Sequence, residues 1–328
     1  MNIMADYKIQ KIFLFSYQDF LTQKPFISDV QSSAAHAICN CKSGKLGINF
    51  SRCDDCGHIA SHHNSCRNRN CPNCQAVNKE IWGDKRRSEV IDTPYYHVVF
   101  TLPHELNSLI YCNQTLLYNL LHRCCAETLL ELSADKKYLG ATPGIIQVLH
   151  TWNQELDYHV HMHCIVSGGG MTPDLKLRSS KHRFFIPVFV LRDKFKGKYM
   201  AYLKKLYNSC IFSVDENCVT FSTRGKLPGE PRRSITLQNT EFIRRYLMHV
   251  LPSGFQKIRY YGFLNNRMKS ENLKLIFKLQ GYQKFKQRYA GMSMSELLKA
   301  VWNVDICICP ECGHAAMKPL GRRYVSSA

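Results

Sequence analysis

The segment HVHMHCIV at residues 159–166 places three histidines at alternate positions, with apolar residues between and after them. Alternate side chains of a β-strand point to the same face, so a strand here directs His159, His161 and His163 to one side of a sheet. Neutral imidazoles on one face are suitable ligands for a divalent cation with open positions for substrate oxygens. The pattern predicts a strand with a metal site. Half-exposed histidines packed against aromatic residues are the alternative.

Strands and helices alternate on both sides of this segment. A β-branched and aromatic run at 95–102 ends at Pro103 and predicts a buried strand, and residues 145–149 predict another. Helices are predicted over 76–90, 109–132 and 194–207, a further short strand over 185–190, and a weakly supported helix over 19–23. This order favours an α/β or α+β core whose central sheet lies between about residues 95 and 225.

Charge and cysteine content limit the kind of protein. The 328-residue chain has 44 Lys and Arg against 25 Asp and Glu, and its net charge of +19 indicates a polyanionic partner. The most apolar early stretch, residues 12–15, is too short for a membrane span or a secretory signal. Nucleic acid, not a membrane, is therefore the expected partner, and the cytoplasm the expected compartment. Sixteen cysteines in a reducing compartment indicate metal ligands.

Two Cys-x-x-Cys motifs predict a structural zinc site. The motifs at 53–56 and 71–74 are separated by fourteen residues, close to the spacing of paired knuckles that enclose one tetrahedral Zn²⁺. The predicted ligands are Cys53, Cys56, Cys71 and Cys74, with Cys41, His58 and Cys66 as second-rank substitutes. Near the C-terminus, Cys307, Cys309, Cys312 and His314 include one more knuckle. This group either binds a second zinc or is a cysteine-rich tail without metal.

Five arginines are the predicted DNA contacts. Residues 64–70, between the knuckles, contain two arginines and several amide side chains suited to phosphate or base-edge contacts. Two more lie on the basic helix at 76–90, for which a simply solvated face is the alternative. One lies beside Tyr260 and Tyr261, which suit stacking on unpaired bases. The five are Arg67, Arg69, Arg86, Arg87 and Arg259.

Several motifs together resemble the transposases of the insertion-sequence-91 family, a rolling-circle group of the HUH type. The central motif is His161-Met162-His163, a bulky apolar residue between two histidines. Further segments typical of the group lie at 64–75, 99–103, 149–152 and 249–252. Together the matching segments span roughly residues 35–267.

The resemblance implies an α+β chain in three parts. These are a zinc-binding, DNA-recognition domain at 1–92, a HUH-type catalytic domain at 93–267 with a central antiparallel sheet flanked by helices, and a helical, cysteine-containing tail at 268–328. The sheet of such enzymes presents the histidine pair to catalytic Mg²⁺ or Mn²⁺. A tyrosine on a nearby helix attacks single-stranded DNA at the element ends, and the resulting 5′-phosphotyrosine conserves bond energy for rejoining.

The tyrosine motif of that family is missing from this sequence. In the family, two tyrosines four residues apart stand in a Tyr-Leu-x-x-Tyr-Thr-x-Arg context between the histidine strand and the His-Val-Leu-Pro segment. The nearest text here, YLKKLY at 202–207, has a different spacing and lacks the Thr and Arg. The interval from His163 to His249 is also short for the family, as if a segment had been lost after residue 207. Tyr202 and Tyr207 are then the leading candidate nucleophiles, and Tyr199, Tyr260 and Tyr261 are others. The alternative for Tyr199, Tyr202 and Tyr207 is that they are ordinary helix-surface or core aromatics.

Three functions follow, in order of preference. The first is a transposase that binds the DNA ends of a rolling-circle insertion sequence and cleaves and joins them through a phosphotyrosine. The second is a shortened, catalytically defective transposase that binds DNA without cleaving it. The third, a nuclease that uses metal-activated water, would need carboxylates, and only Glu155 and Asp157 are near the histidine strand in sequence.

Overall fold

The computed structural model describes residues 8–23, 26–180, 186–206, 221–223, 233–235, 237–281 and 285–323. Its α-helices are α1 (Lys8–Thr22), α2 (Asp29–Asn40), α3 (Pro72–Arg87), α4 (Asn107–Cys112), α5 (Gln114–Ala134), α6 (Val188–Leu206), α7 (Asn239–Met248), α8 (Lys269–Gln280) and α9 (Met294–Trp302). Its strands are β1 (Ile48–Cys53), β2 (Ile59–His63), β3 (Tyr95–Thr101), β4 (Thr142–Trp152), β5 (Tyr158–Met171), β6 (Leu177–Ser179), β7 (Phe221–Thr223), β8 (Arg233–Ile235), β9 (Ile258–Gly262) and β10 (Met317–Arg323).

The main sheet is antiparallel and is built around the histidine strand, β5. Its strand order is β3-β5-β4-β9, and β6 pairs with the far end of β5. The predicted α+β class is confirmed, although β9 lies beyond the limit of residue 225 expected for the sheet. Gly262 ends β9 at a φ of +62°, and a Cβ there would lie 1.7 Å from the carbonyl oxygen of Pro143. The close approach of β9 to β4 therefore requires glycine at this position.

Two predicted elements differ from the structure. The helix expected over 109–132 is divided into α4 and α5 at Asn113, whose side-chain amide donates to the carbonyl of Leu109 and ends α4. The strand expected over 185–190 is wrong for residues 188–190, which begin α6. The apolar run there continues with a helical spacing, since Leu191, Phe195 and Tyr199 are all buried on one side of α6.

The apolar face of β5 packs against α5 and α6. Val160, Met162 and Cys164 lie in the same buried cluster as Leu121 of α5 and Phe195 of α6. The histidines of β5 alternate with these residues and therefore lie on the opposite face. The helices thus cover one side of the sheet and leave the histidine side open at this point.

Truncation of Met162 is expected to destabilise the chain. Met162 is fully buried at the centre of the sheet, so Met162→Ala should lower the free energy of unfolding by about 2–5 kcal/mol through reduced burial and the cavity left behind. Chemical denaturation measures the change. Met200→Ala on α6 is the control, because Met200 is exposed and its truncation should stay within about 0.5 kcal/mol. Equal effects of the two substitutions would contradict the packing described.

Elements from the C-terminal third of the chain pack against the N-terminal region. Helix α7 packs against α1 and α2 around a buried cluster that includes Phe13 and Ile243. Strand β10 pairs antiparallel with β1, whose other neighbour is β2. Helix α7, which precedes β9, and strand β10 therefore both return to the N-terminal region. The three-domain division stays a prediction, and the structure adds that the C-terminal part contributes a strand to an N-terminal sheet. Among the described residues, no helix is both long and apolar enough to cross a membrane.

Candidate metal centre and nucleic-acid surface

Three histidines converge on the open face of the main sheet. His150 on β4 stands opposite His161 on β5, and two residues along the strands Val148 stands opposite His163. Residues two apart on a strand point to the same side, so the three imidazoles share one face. One ring nitrogen from each of the three lies within 4.8 Å of the others. The ring centroids of His150 and His163 are 4.3 Å apart. Three imidazoles at this separation fit the donor set of a divalent-cation site with open positions.

The structure corrects one expected member of this group. His159 lies beside His161, with ring centroids 5.2 Å apart, but it does not belong to the group of three. The third position is taken by His150, which the sequence reasoning did not select. The sequence did contain an indication of His150, because this residue lies within segment 149–152, which is typical of the family that the chain resembles.

The environment keeps these histidines neutral. Burial and then the neighbouring His163 lower the pKa of His150 to about 3. Burial and then His161 lower the pKa of His163 to about 4. Neutral imidazoles are the form that binds metal. His97 on β3, also missed by the sequence reasoning, places its Nε2 2.7 Å from Nδ1 of His163, and such an outer partner orients a ligand ring.

A cleft of about 490 Å³ adjoins the histidines. Its lining is mostly aromatic and apolar: Tyr95, Tyr96, His97, Val148, His150, His163 and Ile165. On the other side of the group, Trp152 stacks on His150 with ring centroids 5.0 Å apart, and Nζ of Lys257 lies 4.4 Å from the Trp152 ring. Burial, and then the charge of Arg69, lower the pKa of Lys257 to about 8. The site therefore combines stacking surfaces with a nearby cation.

The candidate nucleophiles are not brought to the histidines. Tyr202 lies on α6 and packs against the core on the opposite face of the sheet. Its hydroxyl lies 3.0 Å from a Glu127 carboxylate oxygen and accepts a hydrogen bond from Arg123 at 2.9 Å. Tyr199, one helical turn away, is buried in that core. The structure thus argues against Tyr202 as a nucleophile, because the sheet separates it from the metal site. Tyr207 lies outside the described residues.

The predicted grouping of the zinc-ligand cysteines is wrong. The two knuckles do not share one site: Cys71 and Cys74 group with Cys41 and Cys66, whereas Cys53 and Cys56 group with Cys309 and Cys312. The reason is that the C-terminal strand β10 pairs with β1 and brings a third knuckle to the first. The second-rank cysteines 41 and 66 are therefore members of a four-cysteine group.

The group of Cys41, Cys66, Cys71 and Cys74 is formed where α2 ends and α3 begins. Sγ of Cys74 lies 3.6 Å from Sγ of Cys41 and 3.5 Å from Sγ of Cys66. A hydrogen bond from the Cys71 thiol lowers the pKa of Cys41 to about 5. The N-terminus of α3, at Cys71, also favours negative charge. Four thiols in this arrangement fit structural Zn²⁺.

The five arginines differ in how free they are to meet DNA. Arg67 and Arg87 are exposed. Three others also have contacts within the chain: Arg69 donates to the carbonyl of Phe255 at 2.8 Å, Arg86 pairs with Glu89 and lies over the Tyr260 ring, and Arg259 donates to Asn119. Arg86 is the most restricted, because its side chain is only 12% exposed. DNA contact by the five arginines stays a prediction, best supported for Arg67 and Arg87.

Comparison with known proteins identifies the family. The family described as "transposase zinc-binding domain" matches residues 12–102, and the family described as "putative transposase" matches residues 144–211 and 206–274. The putative transposase y4qJ of Sinorhizobium fredii is 34% identical over 77% of this chain and 79% of its own length. The transposase for insertion sequence element IS801 of Pseudomonas savastanoi is 23% identical over 89% of this chain and 84% of its own length. No solved structure matches.

The same alignments show that this chain is shorter inside the matched region. The alignment with y4qJ is 315 positions long, but it includes only 77% of the 328 residues of this chain, which is about 250 residues. About 60 positions of the alignment therefore have no counterpart in this chain. The second runs over 354 positions and includes 89%, about 290, which again leaves about 60. The "putative transposase" match also breaks and restarts at residues 206–211. The chain belongs to the insertion-sequence-91 family of transposases, with an amino-terminal zinc-binding domain.

Proposed function

We propose that this chain binds the single-stranded DNA ends of its insertion sequence and holds Mg²⁺ or Mn²⁺ at His150, His161 and His163, but lacks the tyrosine motif of its family and does not cleave the DNA. The convergence of three neutral imidazoles on an open sheet face carries the metal part of this proposal. A divalent ion bound there would polarise a phosphodiester oxygen. The family assignment supports DNA as the partner.

The surroundings of the histidines suit a DNA strand. Tyr95 and Tyr96 line the cleft beside them and offer aromatic surface on which unpaired bases stack. Lys257 places a positive charge beside Trp152, suited to a backbone phosphate. His97 holds the ring of His163 in a fixed orientation. Tyr95, Tyr96 and Lys257 would thus bind the DNA strand, and His97 would orient a metal ligand.

The proposed lack of a nucleophile rests on four observations. The family tyrosine motif is absent from the sequence, and the alignments leave about 60 positions of the relatives without a counterpart in this chain. Tyr202 lies on the far side of the sheet. Tyr246, on α7, donates its hydroxyl to the carbonyl of Asn70 at 2.5 Å, which ties it to the zinc-binding region. Loss of the segment that carried the tyrosines accounts for the missing motif and for the unmatched positions.

A cleaving transposase is the second candidate, and its candidate nucleophile is Tyr207, which lies outside the described residues. A 5′-phosphotyrosine formed at Tyr207 would release a 3′ hydroxyl and conserve the bond for rejoining. The water-dependent nuclease is not supported: within the described part of the chain the histidine group includes no carboxylate, and Asp157 pairs with Arg245. A covalent protein–DNA adduct on denaturing electrophoresis separates the two transposase candidates.

The DNA surface is tested by its exposed arginines. Combined Arg67→Ala and Arg87→Ala should weaken binding of single-stranded DNA and reduce the slope of log K against log salt by about 1.4, which is about 0.7 for each phosphate that the variant no longer neutralises. Fluorescence anisotropy at several salt concentrations measures both quantities. Arg192→Ala on α6 is the matched control, because Arg192 is exposed on the other side of the sheet and pairs with Asp193. An unchanged slope in the double variant would remove these arginines from the surface.

A further inference from the structure

Two knuckles with the same pattern, Cys-x-x-Cys-Gly-His, meet from distant parts of the sequence. One occupies residues 53–58, at the end of β1, and the other residues 309–314, just before β10. Their four Sγ atoms lie within 4.8 Å of one another. The sulfur of Cys53 is 3.7 Å from that of Cys312, and the sulfur of Cys56 is 3.6 Å from that of Cys309. Each of these short sulfur–sulfur distances is therefore between a cysteine of one knuckle and a cysteine of the other.

The backbones of the two knuckles close in the same way. The amide of each first cysteine donates to the carbonyl of the histidine five residues later, at 2.8 Å in both. The amides of Gly57 and Gly313 donate back to the carbonyls of those first cysteines, at 3.0 and 2.9 Å. Both glycines have positive φ, +72° and +75°, which a residue with a Cβ adopts only with strain. Each chain segment is therefore shaped to present its two thiols together.

The histidine of each knuckle also lies near a carboxylate of the other knuckle. Nδ1 of His314 lies 2.9 Å from a carboxylate oxygen of Asp55, which stands between the two cysteines of the first knuckle. Nδ1 of His58 lies 3.9 Å from a carboxylate oxygen of Glu311, at the equivalent place in the second. Each knuckle therefore places its histidine near the acidic residue of the other knuckle, as expected for two equivalent knuckles around a shared centre.

We propose that Cys53, Cys56, Cys309 and Cys312 bind a second structural zinc ion, which fixes the C-terminal strand β10 to the N-terminal sheet. Four thiols from two knuckles are a donor set of tetrahedral structural zinc. Strands β1 and β2 have few buried side chains, so their small sheet has little apolar core of its own. Zinc therefore supplies stability that packing does not. This inference does not depend on whether the chain cleaves DNA.

Zinc content is the first test. The chain is purified with zinc and carries His161→Ala and His163→Ala, so that the histidine group does not also bind zinc. This chain should contain two zinc ions by metal mass spectrometry, and the further double substitution Cys309→Ser with Cys312→Ser should leave one. Cys307→Ser is the matched control, because Cys307 is exposed, lies in the same segment and is outside the group of four. It should keep two. One zinc in the chain with all its cysteines, or two after the double cysteine substitution, would overturn the proposal.

A second test uses the unsubstituted chain and so does not depend on how a variant folds. Cys56 and Cys307 are both exposed, so without metal both thiols are accessible to iodoacetamide. Zinc coordination should slow alkylation of Cys56 at least about tenfold, because a coordinated thiolate is a poorer nucleophile, and should leave the rate at Cys307 unchanged. A chelator should reverse the slowing at Cys56. Equal alkylation rates of Cys56 with and without zinc, followed site by site by peptide mass spectrometry, would overturn the proposal.

Discussion

Combined His161→Ala and His163→Ala should weaken binding of Mn²⁺ by more than about 100-fold, because two of three ligands are removed, whereas loss of an outer partner alone costs about 10–100-fold. Binding of single-stranded DNA in the absence of added divalent ion should stay within about twofold, since the arginine surface is unchanged. Any strand cleavage should be abolished. Titration followed by electron paramagnetic resonance of free Mn²⁺ measures the first quantity, and anisotropy the second.

The matched control for this pair is His159→Ala. His159 lies on the same strand and the same face as the pair but outside the group of three, so its loss should leave Mn²⁺ affinity almost unchanged. His150→Ala, by contrast, should reduce the affinity strongly, although His150 is on a different strand. Equal effects of His159→Ala and His150→Ala would contradict the assigned ligand set. Loss of DNA binding together with Mn²⁺ binding in the His161 and His163 pair would make those histidines structural.

Cys71→Ser should remove one zinc ion per chain and lower the free energy of unfolding by more than about 4 kcal/mol, the range typical of losing a structural metal. Cys71 is fully buried and begins α3, so the ion at this group fixes the helix to the end of α2. Metal mass spectrometry and chemical denaturation measure the two effects.

Cys39→Ser serves as the control for that substitution. Cys39 is half-buried on α2, two residues before Cys41, but it is not a member of the four-cysteine group. Its replacement should leave the zinc content unchanged. If Cys71→Ser retained its full zinc content, the group of Cys41, Cys66, Cys71 and Cys74 would not be a zinc site.

The histidine strand illustrates what local sequence predicts well. The alternation of His161, Met162 and His163 has the period of a strand, so both the strand and the shared face of the two histidines could be predicted. His150 could not be selected in the same way, because its place beside His161 depends on the register between β4 and β5. Register is set by pairing over the whole sheet and by the irregular turn between the strands, which no short pattern contains.

The cysteines show the opposite case, in which a spacing rule misled. The separation of the knuckles at 53–56 and 71–74 fits one zinc site, yet the fold places them in two. The grouping depends on contacts between distant parts of the chain, above all the pairing of β1 with β10. A usable signal existed, because residues 53–58 and 309–314 share Cys-x-x-Cys-Gly-His, whereas residues 71–76 do not.

The central proposal is that this chain binds DNA and a divalent ion but lacks the tyrosine motif of its family and so does not cleave DNA. The most direct test incubates it with 5′- and 3′-labelled single-stranded DNA and Mn²⁺, on a substrate that it binds and that an intact relative cleaves, followed by denaturing electrophoresis. We expect binding, no nick and no covalent adduct. An adduct that maps to a tyrosine, and that Tyr207→Phe removes, would contradict the claim and establish a working transposase.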